Sequence, residues 1–201
     1  MDAHQAHEHH EKAHEAAHGH HGTSRSKRIG ILISVLAALL AMVEIGGKSA
    51  QTNAMVANLE SSDLWAFFQA KTIRMTVLQT SADTLELTRP PGLDAAKAAA
   101  SDKQAAEWRA AAKRYDSDPE KNEGRKELAA RAKAAEERRD HMLAAYHLYE
   151  YGAGAIEIGI VLASAAVVTG ILGLAFLSAG FGAVGGAFGL VAWLAPTLVH
   201  F

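Results

Sequence analysis

One stretch decides most of what this chain can fold into. From Gly152 to Val199 it reads GAGAIEIGIVLASAAVVTGILGLAFLSAGFGAVGGAFGLVAWLAPTLV, with no charged residue except Glu157. That apolar run is about twice the ~20 residues one membrane-crossing helix needs. A soluble amphipathic helix would show a polar stripe every third or fourth residue, and neither half does. The pattern predicts a hairpin of two membrane spans over 152–201, with its tight turn at the SAGFG sequence, Ser178–Gly182.

A third apolar run, Ile29–Ile45, follows Arg25, Lys27 and Arg28 directly. With its flanks it makes a basic collar and first span over 23–46, at the short end of the range for a crossing. Basic residues against a first span favour a cytoplasmic N-terminus. The middle region and the C-terminus then lie on the other side. Lys48, Lys133, Arg138 and Arg139 also stand close to membrane ends and weigh against that orientation. No secretory signal peptide is expected, because no A-x-A cleavage site follows the Ile29 run. A net charge of -2 argues against a nucleic-acid partner, and the absence of cysteine rules out disulfides and thiolate chemistry.

Between the spans, residues 47–151 read as helical throughout. Ser49–Thr88 lacks both Gly and Pro, and Leu64, Phe68, Met75, Leu78, Ala82 and Leu85 share one face. Arg89-Pro90-Pro91-Gly92 stops that helix, since proline lacks a donor and clashes with the preceding turn. A second helix spans Leu93–Tyr115, with Leu93, Ala100, Trp108, Ala111 and Tyr115 on its heavier side. Asp118 then caps a third helix with Pro119 at its first position. In that helix Leu128, Ala132, Ala135, Arg139, Met142, Tyr146, Tyr149 and Ala153 alternate steps of four and three, a coiled-coil period. The count continues through Ile156, Ile160, Ala163, Val167 and Gly170, so the helix should run into the apolar stretch unbroken. The expected fold class is all-α: three transmembrane helices and an extramembrane, coiled-coil-like helical stalk of up to ~60 Å.

The segment ESSDLWAFFQAKTIR, Glu60–Arg74, resembles the signature block of a bacterial family known as domain of unknown function 4337. Members of that family similarly begin with a His/Glu/Ala-rich tail and a first span, and end in a hydrophobic hairpin. The resemblance covers essentially the whole chain and implies a bacterial membrane protein, and the expected location is the bacterial inner membrane, crossed several times. It implies no activity and transfers no functional residue.

Four groups of residues are candidate sites. The tail, residues 1–22, holds eight of the eleven histidines. If helical, it would line up His7, His10, His14, His18 and His21 on one face, a donor set suited to zinc, nickel or copper. The plainer reading is a solvated tail that titrates near neutrality, and no cofactor is expected elsewhere. Glu44 and Glu157 are the only ionisable residues inside apolar runs. Each is read as lying within two turns of a membrane surface, at similar depth, as anchors or as groups on an ion path. Lys48 is well spaced to pair with Glu44.

Gly182 with Gly186, and Gly185 with Gly189, form two GxxxG patterns, and Gly159 and Gly170 belong to a similar small face. Such faces serve packing within the hairpin or between copies. Tyr146, Tyr149, Tyr151 and Trp193 suit interfacial aromatic belts. Trp65 and Phe68, with Leu128, Met142 and Tyr146, are read as extramembrane packing residues.

No phosphate loop, H-E-x-x-H or nucleophile elbow occurs, so an enzyme is not expected. The leading expectation is a non-enzymatic membrane scaffold or accessory subunit, a homo-oligomer or part of a larger membrane complex, with the lipid bilayer as its other partner. The alternatives are a metal- or proton-linked transport component using the tail with Glu44 and Glu157, and an envelope-stress or membrane-shape factor.

Overall fold

The computed structural model describes residues 24–198. The His-rich tail and its five candidate ligands lie outside the described residues. Within them the chain forms four α-helices and no strand: α1 Ser24–Leu87, α2 Ala95–Asp116, α3 Arg125–Thr169 and α4 Leu172–Leu194. A 3-10 turn, Pro196–Leu198, follows α4. The all-α expectation holds, and α1, α3 and α4 are each long and apolar enough to cross a membrane. Two compact units divide the chain, one built from the residues up to Ser49 and from Ala144 onward, the other from Ala50–Leu143.

In the first unit, the beginning of α1, the end of α3 and all of α4 pack together. Ile29 clusters with Ala163 and Ala166, Leu36 and Val43 with Ile156. Near Ser49 the ring of Tyr149 lies against Gly46 and Gly47. α3 therefore runs antiparallel to α1. Gly182, Gly186 and Gly189 meet Leu36, Leu39 and Val43 in ascending order, so α4 runs parallel to α1.

The turn between α3 and α4 differs from the expected one. It falls at Gly170-Ile171, where Gly170 adopts φ 71°, a conformation that closes helices and favours glycine. The Gly170 N–H donates to the Ala166 carbonyl at 3.0 Å, and the Ile171 N–H to the Thr169 hydroxyl at 3.4 Å. Ser178–Gly182 lies well inside α4 instead. Its small residues are a surface for close helix approach, and glycine is well tolerated in such helices when neighbours press on it.

In the second unit, α1 stops at Leu87 before the Arg89-Pro90-Pro91-Gly92 sequence, as expected. Leu64, Leu128 and Ala132 form its core, flanked by Trp65 and Phe68. Ala82, Ala105 and Ala112 are also buried. α3 begins at Arg125, not at Pro119; Asp118 and Pro119 belong to the preceding turn, where Asn122 has φ 55°. The cap reaches backward from the first turn of α3. The Glu127 carboxylate accepts from the Ser117 hydroxyl at 2.6 Å and the Asp118 N–H at 3.2 Å. The Ser117 donor, followed by the backbone N–H groups of Glu127 and Asp118, holds that carboxyl below its usual range.

The coiled-coil count in α3 also needs correcting. Leu128, Ala132 and Ala135 are buried as counted, and so are Ile156 and Ala163, but between these two groups the buried residues are Ala145, Leu148 and Gly152, each one position before Tyr146, Tyr149 and Ala153.

Candidate functional site

The candidate surfaces are two packed groups and two exposed ones. The first packed group is the glycine face of α4. A Cβ on Gly182 would collide with the Leu36 side chain. One on Gly185 would fall 2.5 Å from both the Gly152 carbonyl oxygen and Ile156 Cγ1. Gly159 faces the Ser178 carbonyl oxygen at 3.0 Å, and Gly189 faces Val43 Cγ2 at 3.0 Å. Gly186 is looser, with Leu39 Cδ2 at 3.4 Å. These glycines make close approaches within one chain. Gly170 has a different job: nothing lies within 4 Å of its would-be Cβ, and it serves the turn.

Among these helices most hydroxyls satisfy themselves on the preceding turn. Ser34 donates to Gly30, Ser164 to Ile160 and Thr169 to Ala165. Ser178 does not: its hydroxyl is fully buried and has no partner.

The second packed group is built on the signature block. Trp65 Nε1 donates to Glu136 Oε1 at 2.8 Å, and the Ser61 hydroxyl donates to the same oxygen at 3.4 Å. Trp65 and Phe68 meet edge to face with centroids 5.4 Å apart. The Arg125 guanidinium lies over the Phe68 ring, and Lys71 Nζ sits 5.3 Å from the centroids of both Phe67 and Tyr115. Glu60 and Arg138 pair at 2.6 Å, and Arg139 binds Asp140 and reaches Asn58. Trp65, Phe68 and Leu128 therefore gather in one place, while Met142 is half-buried and Tyr146 donates to Glu150 elsewhere. Glu136 was not legible as Trp65's partner, since 71 residues separate the two.

The first exposed group lies on α1. Leu59, Ala66 and Ile73 recur every seven residues, with Met55 and Val77 beside them. All five are exposed, on the side of the helix opposite buried Ala54, Ala57, Ser61 and Leu64. Met55, Leu59 and Ile73 each expose 60 % or more. The recurrence is readable in the sequence, but the core face of the same helix masks it.

The second exposed group is the pair of intramembrane candidates. Glu44 and Glu157 are both exposed, and neither points among the three helices of the first unit. The register also separates them. Tyr149 opposes Gly46 and Gly159 opposes Leu36, so Glu157 lies level with residue 38 of α1, six residues from Glu44. At 1.5 Å per residue that is about 9 Å along the axis. The two carboxylates therefore stand at different levels along the bundle, because α3 already packs on α1 at Tyr149. Tyr149 and Tyr151 sit at the Gly46 end, and the Tyr151 ring contacts Phe188 of α4 at 6.2 Å.

Residues 25–195 match the model of one protein family, described as Domain of unknown function (DUF4337). No curated protein and no solved structure matches the chain.

Proposed function

This chain belongs to the DUF4337 family, whose description assigns no chemistry, and we propose that it is a non-enzymatic integral membrane scaffold or accessory subunit of the bacterial inner membrane. In this reading α1, α3 and α4 cross the lipid, with Lys27 and Arg28 on the cytoplasmic side. The unit formed by Ala50–Leu143 stands in water and carries the contacts that join the protein to copies of itself or to a larger complex.

One observation carries the reading. Met55, Leu59, Ala66, Ile73 and Val77 form an exposed apolar stripe, three of them at seven-residue spacing and with Ser62 and Gln69 beside them, that the chain's own second unit leaves uncovered. In water such a face is costly, at roughly 25 cal/mol per Å² of apolar area, and sustained heptad spacing favours a helical partner. Contiguous apolar patches of this kind mark interaction sites.

The test is the mass of the full chain in lipid nanodiscs and its neighbours in native membranes. An assembly larger than one chain is expected. The pair Leu59→Glu and Ile73→Glu, both exposed and so compatible with the fold, should return it to a single copy still embedded in lipid. A wild-type chain that stays single and has no co-purifying partner would remove the proposal. So would one that remains freely soluble without detergent or lipid.

Transport has weaker support. It requires Glu44 and Glu157 on one route, and they differ in depth and point off the bundle of one chain. Ion flux into liposomes that disappears with Glu157→Gln would favour it over the scaffold.

A further inference from the structure

Glu157 occupies an expensive position. Along α3 it lies eight residues from Tyr149, which meets Gly46 at one end of the apolar bundle, and nine from Ala166, which packs with Ile29 at the other. By the helical rise it is about 12 Å from the first level and about 14 Å from the second. A hydrocarbon layer is ~30 Å thick, so if the three helices cross it, Glu157 falls near its centre. Snorkelling is out of reach for so short a side chain at that depth. Its neighbours on the exposed side are apolar: Ile158 is 49 % exposed and Val161 67 %. Glu150, seven residues earlier, accepts from the Tyr146 hydroxyl at 2.5 Å. Glu157 has no hydrogen-bond or ion-pair partner among the described residues.

We propose that the α3 face bearing Glu157 is a seam between two copies of this chain inside the membrane, in which the two Glu157 side chains hydrogen-bond to each other. The inference rests on the membrane-spanning reading above and names the surface that a second copy would cover within the lipid. Ionisable groups at this depth face protein or water rather than lipid tails, because the cost of exposure is several kcal/mol.

The physical chemistry of the face favours a second copy as the occupant. Across a two-fold axis parallel to the helices each residue of α3 meets its own counterpart. A protonated carboxyl is donor and acceptor in one group whereas a carboxylate only accepts, so two copies of Glu157 that share at least one proton satisfy each other without any further polypeptide. The residues around it permit close approach: Gly154 has nothing within 4 Å of its would-be Cβ, and Val161, Ser164 and Val168 follow on the same face at steps of four, three and four. That spacing is the one a left-handed helix pair uses. The glycine face of α4 cannot serve instead, since Leu36, Val43, Gly152 and Ile156 already fill it.

The absence of native cysteine makes cross-linking free of background. Val161→Cys in the full chain, oxidised in native membranes and in nanodiscs, should give a disulfide-linked dimer. Glu157→Gln keeps a donor and an acceptor and should associate as wild type does. Glu157→Leu fits the exposed site but should weaken association on the order of tenfold, the range measured for one interhelical hydrogen bond in lipid. The seam is overturned if Glu157→Leu associates like wild type, if Val161→Cys never links to itself, or if Val161→Cys links only to a different protein. In those cases an Ile73→Cys link would still support the scaffold reading. A chain found outside the membrane would defeat that reading first.

Discussion

In the first unit Gly152, Gly159, Gly182 and Gly185 bring helix backbones against one another, and the side chains that fill the gaps are aliphatic. In the second unit Leu64, Leu128, Trp65 and Phe68 fill the core, and paired charges such as Glu60–Arg138 and Asp83–Arg109 lie on the surface. The difference follows from what burial is worth in each setting. On the proposed reading the first unit lies in lipid, where moving leucine between surroundings and interior gains little, so helices hold by close contact and by hydrogen bonds. In water, removing apolar area is the main favourable term, and large aromatic side chains supply the most of it. The two units should therefore fail in different ways when cut in different places.

The largest failure is expected at Gly185. Gly185→Leu drives a branched side chain into the Gly152 carbonyl oxygen and Ile156, and neither backbone can give way cheaply. Overpacking usually costs about 1–3 kcal/mol, and backbone collision sets this case at the top of that range or above. Hydrogen exchange in nanodiscs should show lost protection in 29–49 and 144–198, with 50–143 unaffected. If protection falls equally everywhere, the two units are one cooperative structure and the contrast is wrong.

The mirror experiment is Leu128→Ala. Leu128 is 1 % exposed, and truncating a buried leucine costs about 2–5 kcal/mol. Here exchange should rise in 50–143 and spare the glycine-packed helices. Trp65→Phe is a milder probe of the same place. It keeps most of the ring but leaves Glu136 without its 2.8 Å donor, at about 1–3 kcal/mol. An unchanged exchange profile in Trp65→Phe would mean that Glu136 is satisfied by water and that the aromatic contact alone matters.

The legible parts of the molecule were those governed by local pattern. Three apolar helices follow from runs such as Ile29–Ile45, and the stop before Pro90 from the ring geometry of proline. The continuity of α3 through Tyr151 follows from its unbroken apolar period. What escaped depended on partners distant in sequence. Ser178–Gly182 looks like a turn by composition, and only Leu36 pressing on Gly182 makes it a helix interior. Gly170, one glycine among 17, is the residue with the positive φ the turn requires. The level of Glu157 relative to Glu44 was hidden because the sequence does not show where α3 first meets α1; the Tyr149–Gly46 contact does.

Ser178 offers a gentler test within the glycine-packed unit, and with the opposite sign. Its hydroxyl is buried with no partner, whereas Ser34 and Ser164 are satisfied by carbonyls of their own helix. Ser178→Ala removes the unpaired group and leaves the Ser178 carbonyl oxygen where it meets Gly159, so stability should rise by about 1 kcal/mol. Resistance of the bundle to denaturing detergent, followed by circular dichroism, measures it. A loss of stability would mean that the hydroxyl has a partner in the membrane-embedded protein, and that this unit too relies on polar contacts.

The smallest effect belongs to the surface of the second unit, where Arg109 pairs with Glu86 and with Asp83 at 2.8 Å. The hydrogen bond from Arg109 holds the Glu86 carboxyl below its usual 4.5. A carboxyl whose folded value is depressed adds stability above its unfolded value, and that contribution disappears as pH falls through the folded one. The pair is fully exposed, so screening should reduce it further. Arg109→Ala should therefore lower the thermal midpoint of the second unit slightly at pH 7 and low salt. The difference from wild type should close as pH falls through the depressed folded value of Glu86, and also in 1 M salt. A gap that persists at low pH and high salt would assign the contribution of Arg109 to its aliphatic stem packed along α1 and α2 rather than to its charge. Charged residues of the second unit would then hold it together by the same close packing that the glycines provide in the first.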